Sequence, residues 1–307
     1  MKRAAWGLLA LLPAVLHAVV PAPAGDDVTV ADTSREAFSR PVPGLPAGAM
    51  PEFLLGRSLF RQVWVVPPAL DIDIAGLGPV FNRPSCAACH LKNGRGRPPE
   101  RHGDRMRSML VRLSLPGRDE HGGPRPDPAY GEQLNDSAVA GVPAEGRALI
   151  EWVEHTEELA GGERIRLRAP RLTLVEMAFG EPEAKLLTSP RVAPAIFGAG
   201  LLDAVSEQTL LDLAATPRPD GVRGRVNRVW SAATGGHAIG RFGLKANVPD
   251  LRQQVAAAFL GDLGITSPLF PHENCTLVQA ACRAAPSART PELTADQLDA
   301  VVLYSRA

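Results

Sequence analysis

The sequence predicts a mainly α-helical fold that carries a β-containing insertion and long loops rich in glycine and proline. Three observations support this fold class. Apolar residues recur at helical spacing near both ends of the chain, whereas a central stretch alternates between polar and apolar residues. The 307 residues include 29 glycines and 29 prolines, which predict many turns. The length suits one large domain or two modest ones.

Residues 1–24 have the features of an export signal. Lys2 and Arg3 are followed by an apolar stretch without acids from Ala4 to Val20. Small residues in Ala22-Pro23-Ala24 suit cleavage before Gly25. A membrane anchor is the alternative, but the clean apolar run is short for a bilayer span. We therefore expect an exported, periplasmic protein with no stable membrane span.

The first predicted helix follows a polar, proline-rich segment at residues 25–50, which we expect to be extended. Apolar residues at near-helical spacing indicate a helix from Met50 to Val65. Pro67-Pro68 would end it, because proline cannot continue a helix.

A β-containing insertion is predicted at about residues 106–180. The stretch from Ser108 to Leu115 alternates weakly. Leu149 to Leu167 is a better candidate, since apolar residues alternate on both sides of a Gly161-Gly162 turn and so indicate a hairpin. Pro170 is expected to end its second strand.

Helical patterns return from Ser189 onward. Ser206 is placed to cap one helix. Leu251, Val255 and Phe259 recur every four residues, as on one face of another helix. The segment 294–297, with Thr and Gln at its ends, has the pattern of a capping box and predicts a last helix.

Cys86-Ala87-Ala88-Cys89-His90 is the most informative motif in the chain. C-x-x-C-H is the attachment pattern of a c-type haem, in which two sulfurs add to the porphyrin and the imidazole becomes an axial iron ligand. A zinc site is one alternative, with Cys275 and Cys282 as the second pair. A thioredoxin-like redox loop is another, but it needs a βαβ context that the pattern lacks. We expect one covalently attached haem, with His90 as proximal ligand.

The other two cysteines, Cys275 and Cys282, predict a disulfide. They are even in number, close in sequence, and expected in an oxidising compartment. Two buried free thiols are the alternative. The charge balance is neutral, with 33 basic and 33 acidic residues, and it gives no reason to expect a nucleic acid as partner.

The sixth coordination position of the iron decides the chemistry. A methionine or histidine ligand makes a closed electron-transfer haem, whereas an empty position admits peroxide. The first candidates are Met106, Met109 and His237. Each has an alternative structural role, as core packing or as a satisfied imidazole. Further candidates are His102, His121, His155, His272, Met50 and Met177.

Four arginines are candidates for binding the haem propionates. Arg95 and Arg97 stand in a cationic loop just after His90. Arg191 and Arg241 stand in apolar or glycine-rich surroundings, where a charge usually needs a partner. A guanidinium can bind a carboxylate with two parallel hydrogen bonds. The alternatives are a solvated turn for the first pair and an ordinary salt bridge for the second.

Taken in order, the motifs resemble one family, the bacterial di-haem c-type oxidoreductases. Members are often labelled peroxidases or thiol oxidoreductases, and they are related to the di-haem cytochrome c peroxidases. The resemblance runs through most of the chain after the signal segment. It is carried by residues 76–82, 85–90, 94–99, 130–134, 189–194, 200–204, 240–246, 262–267 and 274–276.

The resemblance implies a mainly α, cytochrome c-like haem domain over residues 51–307, with the β-containing insertion inside it. It implies an exported c-type cytochrome that transfers electrons as the N-terminal haem part of a peroxidase-like enzyme. A redox partner protein, and a second haem module, are the implied partners.

Two departures from the family pattern affect this expectation. The family has a second C-x-x-C-H further along, whereas this sequence contains one. We expect either a second haem module encoded elsewhere or a truncated product. Leu244 replaces a tryptophan of the family pattern. The alternative function is a mono-haem electron carrier without catalytic activity.

Overall fold

A computed structural model describes residues 28–307. The expected signal segment, residues 1–24, lies outside this range. Within residues 28–307, no helix combines the length and the apolar character that a bilayer span requires.

The described chain contains comparable amounts of helix and strand. Helices hold 25% of it and strands hold 22%, arranged in several small antiparallel sheets. The prediction of a mainly α, cytochrome c-like fold is therefore wrong. The error arises because strand pairing joins segments that are distant in sequence, and local periodicity does not reveal such pairing.

The elements follow in chain order within residues 28–307. The helices are α1 (Met50–Arg61), α2 (Cys86–Cys89), α3 (Ala199–Asp203), α4 (Glu207–Ala215), α5 (Leu251–Leu263), α6 (Ala280–Arg283) and α7 (Ala295–Arg306). The strands are β1 (Val80–Phe81), β2 (Met109–Arg118), β3 (Pro124–Arg125), β4 (Ser137–Ala138), β5 (Arg147–Glu158), β6 (Arg164–Val175), β7 (Leu187–Val192), β8 (Arg228–Ser231) and β9 (Gly236–Ile239).

Helices α1, α5 and α7 surround the first hydrophobic core. α1 turns Phe53 and Phe60 inward, and both rings contact Tyr304 of α7. The two helices approach very closely, because a Cβ added at Gly56 would lie 1.9 Å from the carbonyl oxygen of Ala300. Glycine at this position therefore permits the crossing.

The caps of the long helices agree with the sequence. The Thr294 hydroxyl accepts from the Gln297 amide at 3.2 Å, and the reciprocal bond completes the predicted capping box of α7. Ser206 caps α4 in the predicted manner, accepting from the Thr209 amide at 3.1 Å. α5 ends at Gly264, whose φ of +68° suits glycine.

A second hydrophobic core lies under β2, the central strand of the sheet β3-β2-β7. Burial alternates along β2, so that Met109, Val111 and Leu113 point inward. Its partner β7 occupies a stretch that the sequence predicts to be helical. That prediction is wrong for residues 189–192, because pairing with β2 over six residues imposes an extended backbone.

Strands β5 and β6 form the predicted hairpin, which is longer than expected. Twelve residue pairs run from Arg147↔Val175 to Glu158↔Arg164. Pro170 does not end β6 but pairs with Trp152. A two-stranded ribbon consists only of edges, so it tolerates a residue without an N–H group. Ile150 anchors the base in the second core, whereas residues 153–164 are exposed.

Candidate functional site

The C-x-x-C-H motif begins with the one-turn helix α2. The Ser85 hydroxyl caps it by accepting from the Ala88 amide at 3.2 Å. Because Cys86 and Cys89 are three residues apart on a helical turn, their side chains lie on the same face. Both thiols are free. His90 follows directly as the C-terminal cap of this turn.

The imidazole of His90 has a defined orientation. Its Nδ1 lies 2.7 Å from the carbonyl oxygen of Pro194. A carbonyl only accepts, so Nδ1 carries the proton and Nε2 keeps a free lone pair. Burial lowers the pKa of His90, which keeps the ring in the neutral form that binds metals. Metal-binding histidines are commonly oriented by a hydrogen bond of this kind.

The thiols of Cys86 and Cys89 are in their neutral form at physiological pH. Burial, with a smaller contribution from the negative charge of Asp262, raises the pKa of each to about 12. Neutral, buried thiols of this kind are poor nucleophiles.

The proposed second zinc pair is also occupied, since the sulfurs of Cys275 and Cys282 lie at bonding distance, 2.01 Å. Residues 28–307 contain no group of three or more histidine, cysteine, aspartate or glutamate side chains suited to a metal ion. The zinc alternative therefore has no support in the described chain.

Arg83 fixes the chain beside Cys89. Its guanidinium pairs with Asp136 at 2.9 Å and donates to the carbonyl oxygen of Arg107, also at 2.9 Å. It donates to the carbonyl oxygen of Met106 as well. The sulfur of Cys89 lies 3.6 Å from the same Arg107 oxygen. This cation thus holds residues 106–107 against one of the two thiols.

A buried amide network joins Asn82, four residues before the motif, to the end of α5. The Asp262 carboxylate accepts from Gln133 at 2.8 Å, and its backbone carbonyl accepts from the Asn82 amide at 2.8 Å. Gln133 and Asn135 both donate to the side-chain oxygen of Asn82. Sequence reasoning missed this network, because its members are polar residues without local pattern and lie far apart in the chain.

The predicted propionate ligand Arg241 is engaged elsewhere. Its guanidinium donates to the carbonyl oxygens of Asp203 at 2.9 Å and Leu202 at 3.4 Å, and to that of Val205. It thereby satisfies the open carbonyl groups at the end of α3.

The other three arginines differ in exposure. Arg95 and Arg97 are exposed. Arg191 is half-buried, and burial followed by the nearby charge of Arg112 lowers its pKa. Its guanidinium contacts the Ser189 hydroxyl at 3.3 Å.

The candidate sixth ligands lie in different surroundings. Met106 and Met109 are buried in the second core, where they pack against apolar neighbours. The ring of His237 lies edge-on to Trp230 across the β8–β9 ladder, and its Nε2 is 3.3 Å from the carbonyl oxygen of His121. The rest are half-buried or exposed: Met50 and Met177, and His102, His121, His155 and His272.

The residues around the motif fit a covalent haem. Two neutral thiols on one face, followed by an imidazole with a free Nε2, are the donor set that this group requires. The segment after Pro194 adds an apolar surface, in which the exposed fractions of Phe197, Leu201 and Leu202 are 48%, 58% and 56%. Apolar side chains exposed to this extent suit contact with an apolar partner.

Comparison with known sequences identifies the family. The family described as "Di-haem oxidoreductase, putative peroxidase" matches residues 19–114 and 181–305. The unmatched stretch, 115–180, contains the β5–β6 hairpin and also residues 130–134, which we count in the resemblance. No curated protein and no solved structure matches the chain. Since the match covers most of its length, the chain belongs to the di-haem oxidoreductase family.

Proposed function

We propose that this chain carries one covalent haem c on Cys86 and Cys89, with His90 as proximal ligand, and transfers electrons as the haem domain of an oxidoreductase. One observation carries the proposal: the hydrogen bond between His90 Nδ1 and Pro194 leaves Nε2 available beside two free thiols. When bound, the haem supplies the one-electron chemistry of its iron, which the protein tunes.

The surrounding residues hold and enclose the haem. The Pro194 carbonyl orients His90 by accepting from Nδ1, and burial lowers the pKa of the ring and so favours its neutral, ligating form. Arg83 holds residues 106–107 against Cys89. Arg191, with Arg95 and Arg97, is our candidate set for the propionates. Arg191 is half-buried and is not in an ion pair with any acid of residues 28–307.

Attachment is tested by making the chain in a host with haem c maturation and recording the pyridine haemochrome spectrum. Each thioether removed shifts the α band toward longer wavelength, so Cys86→Ser and Cys89→Ser should each shift it. Cys275→Ser with Cys282→Ser is the matched control and should leave the band unchanged. A wild-type chain without a haemochrome band refutes the proposal.

A second candidate function is a mono-haem electron carrier, favoured by the single C-x-x-C-H motif. Electron paramagnetic resonance of the ferric protein, together with stopped-flow mixing with hydrogen peroxide, separates the two. A low-spin, six-coordinate haem without peroxide turnover contradicts the peroxidase-like function. A high-spin haem that reacts with peroxide contradicts the carrier.

We also propose export to the periplasm and association with a redox partner and a second haem module. Residues 1–24 support export through their sequence, and the bonded pair Cys275–Cys282 suits an oxidising compartment. Periplasmic fractionation tests this: the haem protein should appear there shortened by 24 residues, and retention in the cytoplasm at full length contradicts export.

A further inference from the structure

We propose that residues 92–107, here called the basic surface, form the docking site for an acidic electron-carrier protein. This inference rests on the proposed haem at the neighbouring cysteines. The basic surface contains six cations and two acids, a net charge of +4. Since the whole chain is neutral, all other residues together carry −4. The basic surface thus carries a net positive charge that the rest of the chain offsets.

The cations of this segment are available to a partner. Five arginines are exposed: Arg95 and Arg97, which are also our candidates for the propionates, and Arg101, Arg105 and Arg107, which remain for a partner. None of these five forms an ion pair with an acid of residues 28–307. The sixth cation, Lys92, is paired with Glu36. Of the two acids, Asp104 accepts from the backbone amide of Arg101. Exposed guanidinium groups without an acidic partner can each bind a carboxylate through two parallel hydrogen bonds.

The basic surface adjoins the haem attachment motif. It starts two residues after His90 and ends at Arg107, whose carbonyl oxygen is 3.6 Å from the sulfur of Cys89. A protein bound to these arginines would therefore sit beside the attachment site, where electron exchange requires it.

The backbone of the basic surface is held in place before any partner binds. The Gly96 amide donates to Ala193 at 2.9 Å, and the Arg97 amide donates to the Ser108 hydroxyl at 3.0 Å. The indole of Trp152 donates to the Pro99 carbonyl at 2.8 Å. Because the segment is already ordered, docking costs little conformational entropy.

The distribution of charge favours a compact acidic protein over a long polyanion. A nucleic acid binds through contacts to many successive phosphates, whereas all residues outside the basic surface together carry −4. A protein with one acidic face would meet only the arginines and would be steered there by the local potential.

The test uses the haem-loaded protein and stopped-flow reduction by two one-electron donors. Reduced flavodoxin is the acidic protein probe, and hexaammineruthenium(II) is a small cationic donor without a docking face. Arg101→Gln with Arg105→Gln removes two charges from the basic surface. Arg164→Gln with Arg166→Gln is the control with equal charge change on the exposed hairpin.

Electrostatic steering predicts a flavodoxin rate that falls at least about tenfold from low to high salt. The Arg101/Arg105 variant should slow this rate about fivefold or more at low salt, and the hairpin variant by less than about twofold. The ruthenium rate should not fall in either variant.

Two kinds of failure remain distinguishable. A wild-type protein without a haem spectrum refutes the proposed function. A normal haem spectrum and normal ruthenium reduction, with a flavodoxin rate that ignores salt or responds equally to both variants, overturn the docking site and leave the haem proposal standing.

Discussion

The helical core around the motif and the outer part of the β5–β6 hairpin differ in how tightly their residues are packed. In the core, α1 and α7 approach so closely that Gly56 has no room for a methyl group. In the hairpin, residues 153–164 are exposed and meet little beyond the opposite strand. The family match covers the core and omits the hairpin. The comparison teaches that the family match follows the tightly packed part of the chain and not the exposed hairpin.

The largest effect is expected where the two helices touch. Gly56→Ala places a Cβ 1.9 Å from the Ala300 oxygen, so the helices must move apart. We expect a loss of about 3 kcal/mol or more in the free energy of unfolding. Urea denaturation followed by circular dichroism measures it. Gly48→Ala, where a Cβ meets nothing within 4 Å, is the control; equal losses in both variants contradict the close crossing.

A smaller loss is expected at the base of the hairpin. Trp152 packs on the second core and its indole donates to the Pro99 carbonyl. Trp152→Ala should cost about 2 kcal/mol, and Trp152→Phe, which keeps a ring but loses the hydrogen bond, about 1 kcal/mol. Denaturant titration of both variants tests this. Variants as stable as the wild type would show that the base is as loosely held as the outer hairpin.

The two regions should also differ in their response to pH. Burial, and then the charge of Glu292, raises the pKa of Glu273 from its ordinary 4.5 to about 8. Between these pH values the folded chain binds more protons than the unfolded chain, so stability falls as pH rises. Glu145, whose pKa burial raises to about 7, adds to the fall below pH 7. Glu273→Gln should therefore reduce the fall, chiefly between pH 7 and pH 8, and stabilise the protein above pH 8 by an amount on the order of 1 kcal/mol after solvent screening.

The control for that experiment is the exposed Glu163 of the hairpin turn. Glu163→Gln should leave the pH profile of the melting temperature unchanged. If both variants keep the wild-type decline from pH 5 to pH 8, another group causes it.

The smallest effect is expected from shortening the hairpin. Replacing residues 156–166 by Asn-Gly removes an exposed part and supplies a favourable two-residue turn between His155 and Leu167, which already pair. The free energy of unfolding should change by less than about 0.5 kcal/mol. The haem spectrum should be unchanged. A loss comparable to that of Gly56→Ala would show that the hairpin is part of the core after all.

The sequence predicts best what depends on neighbours in the chain. The capping box of α7, the Ser206 cap and the Gly161-Gly162 turn follow local rules, and the structure agrees with them. The prediction fails where pairing between strands determines the backbone conformation, as in β7, β8 and β9. It also fails at Pro170, which stays within β6 because both strands of this two-stranded ribbon are edge strands.

The site shows the same division. The C-x-x-C-H motif can be recognised from the sequence because its residues are adjacent, and the expected haem-binding residues follow from it. The oxygen that orients His90 belongs to Pro194, which is 104 residues away. The amide network of Asn82, Gln133 and Asp262 likewise joins three segments that are distant in sequence, so no local sequence pattern predicts it.

The central claim is that a porphyrin is attached to Cys86 and Cys89. Intact-mass spectrometry of the chain purified from a host with haem c maturation tests it most directly. We predict a mass exceeding that of the processed polypeptide by one haem, which persists after acid-acetone extraction and is lost in the double variant Cys86→Ser with Cys89→Ser. A wild-type mass equal to the polypeptide alone would contradict the account.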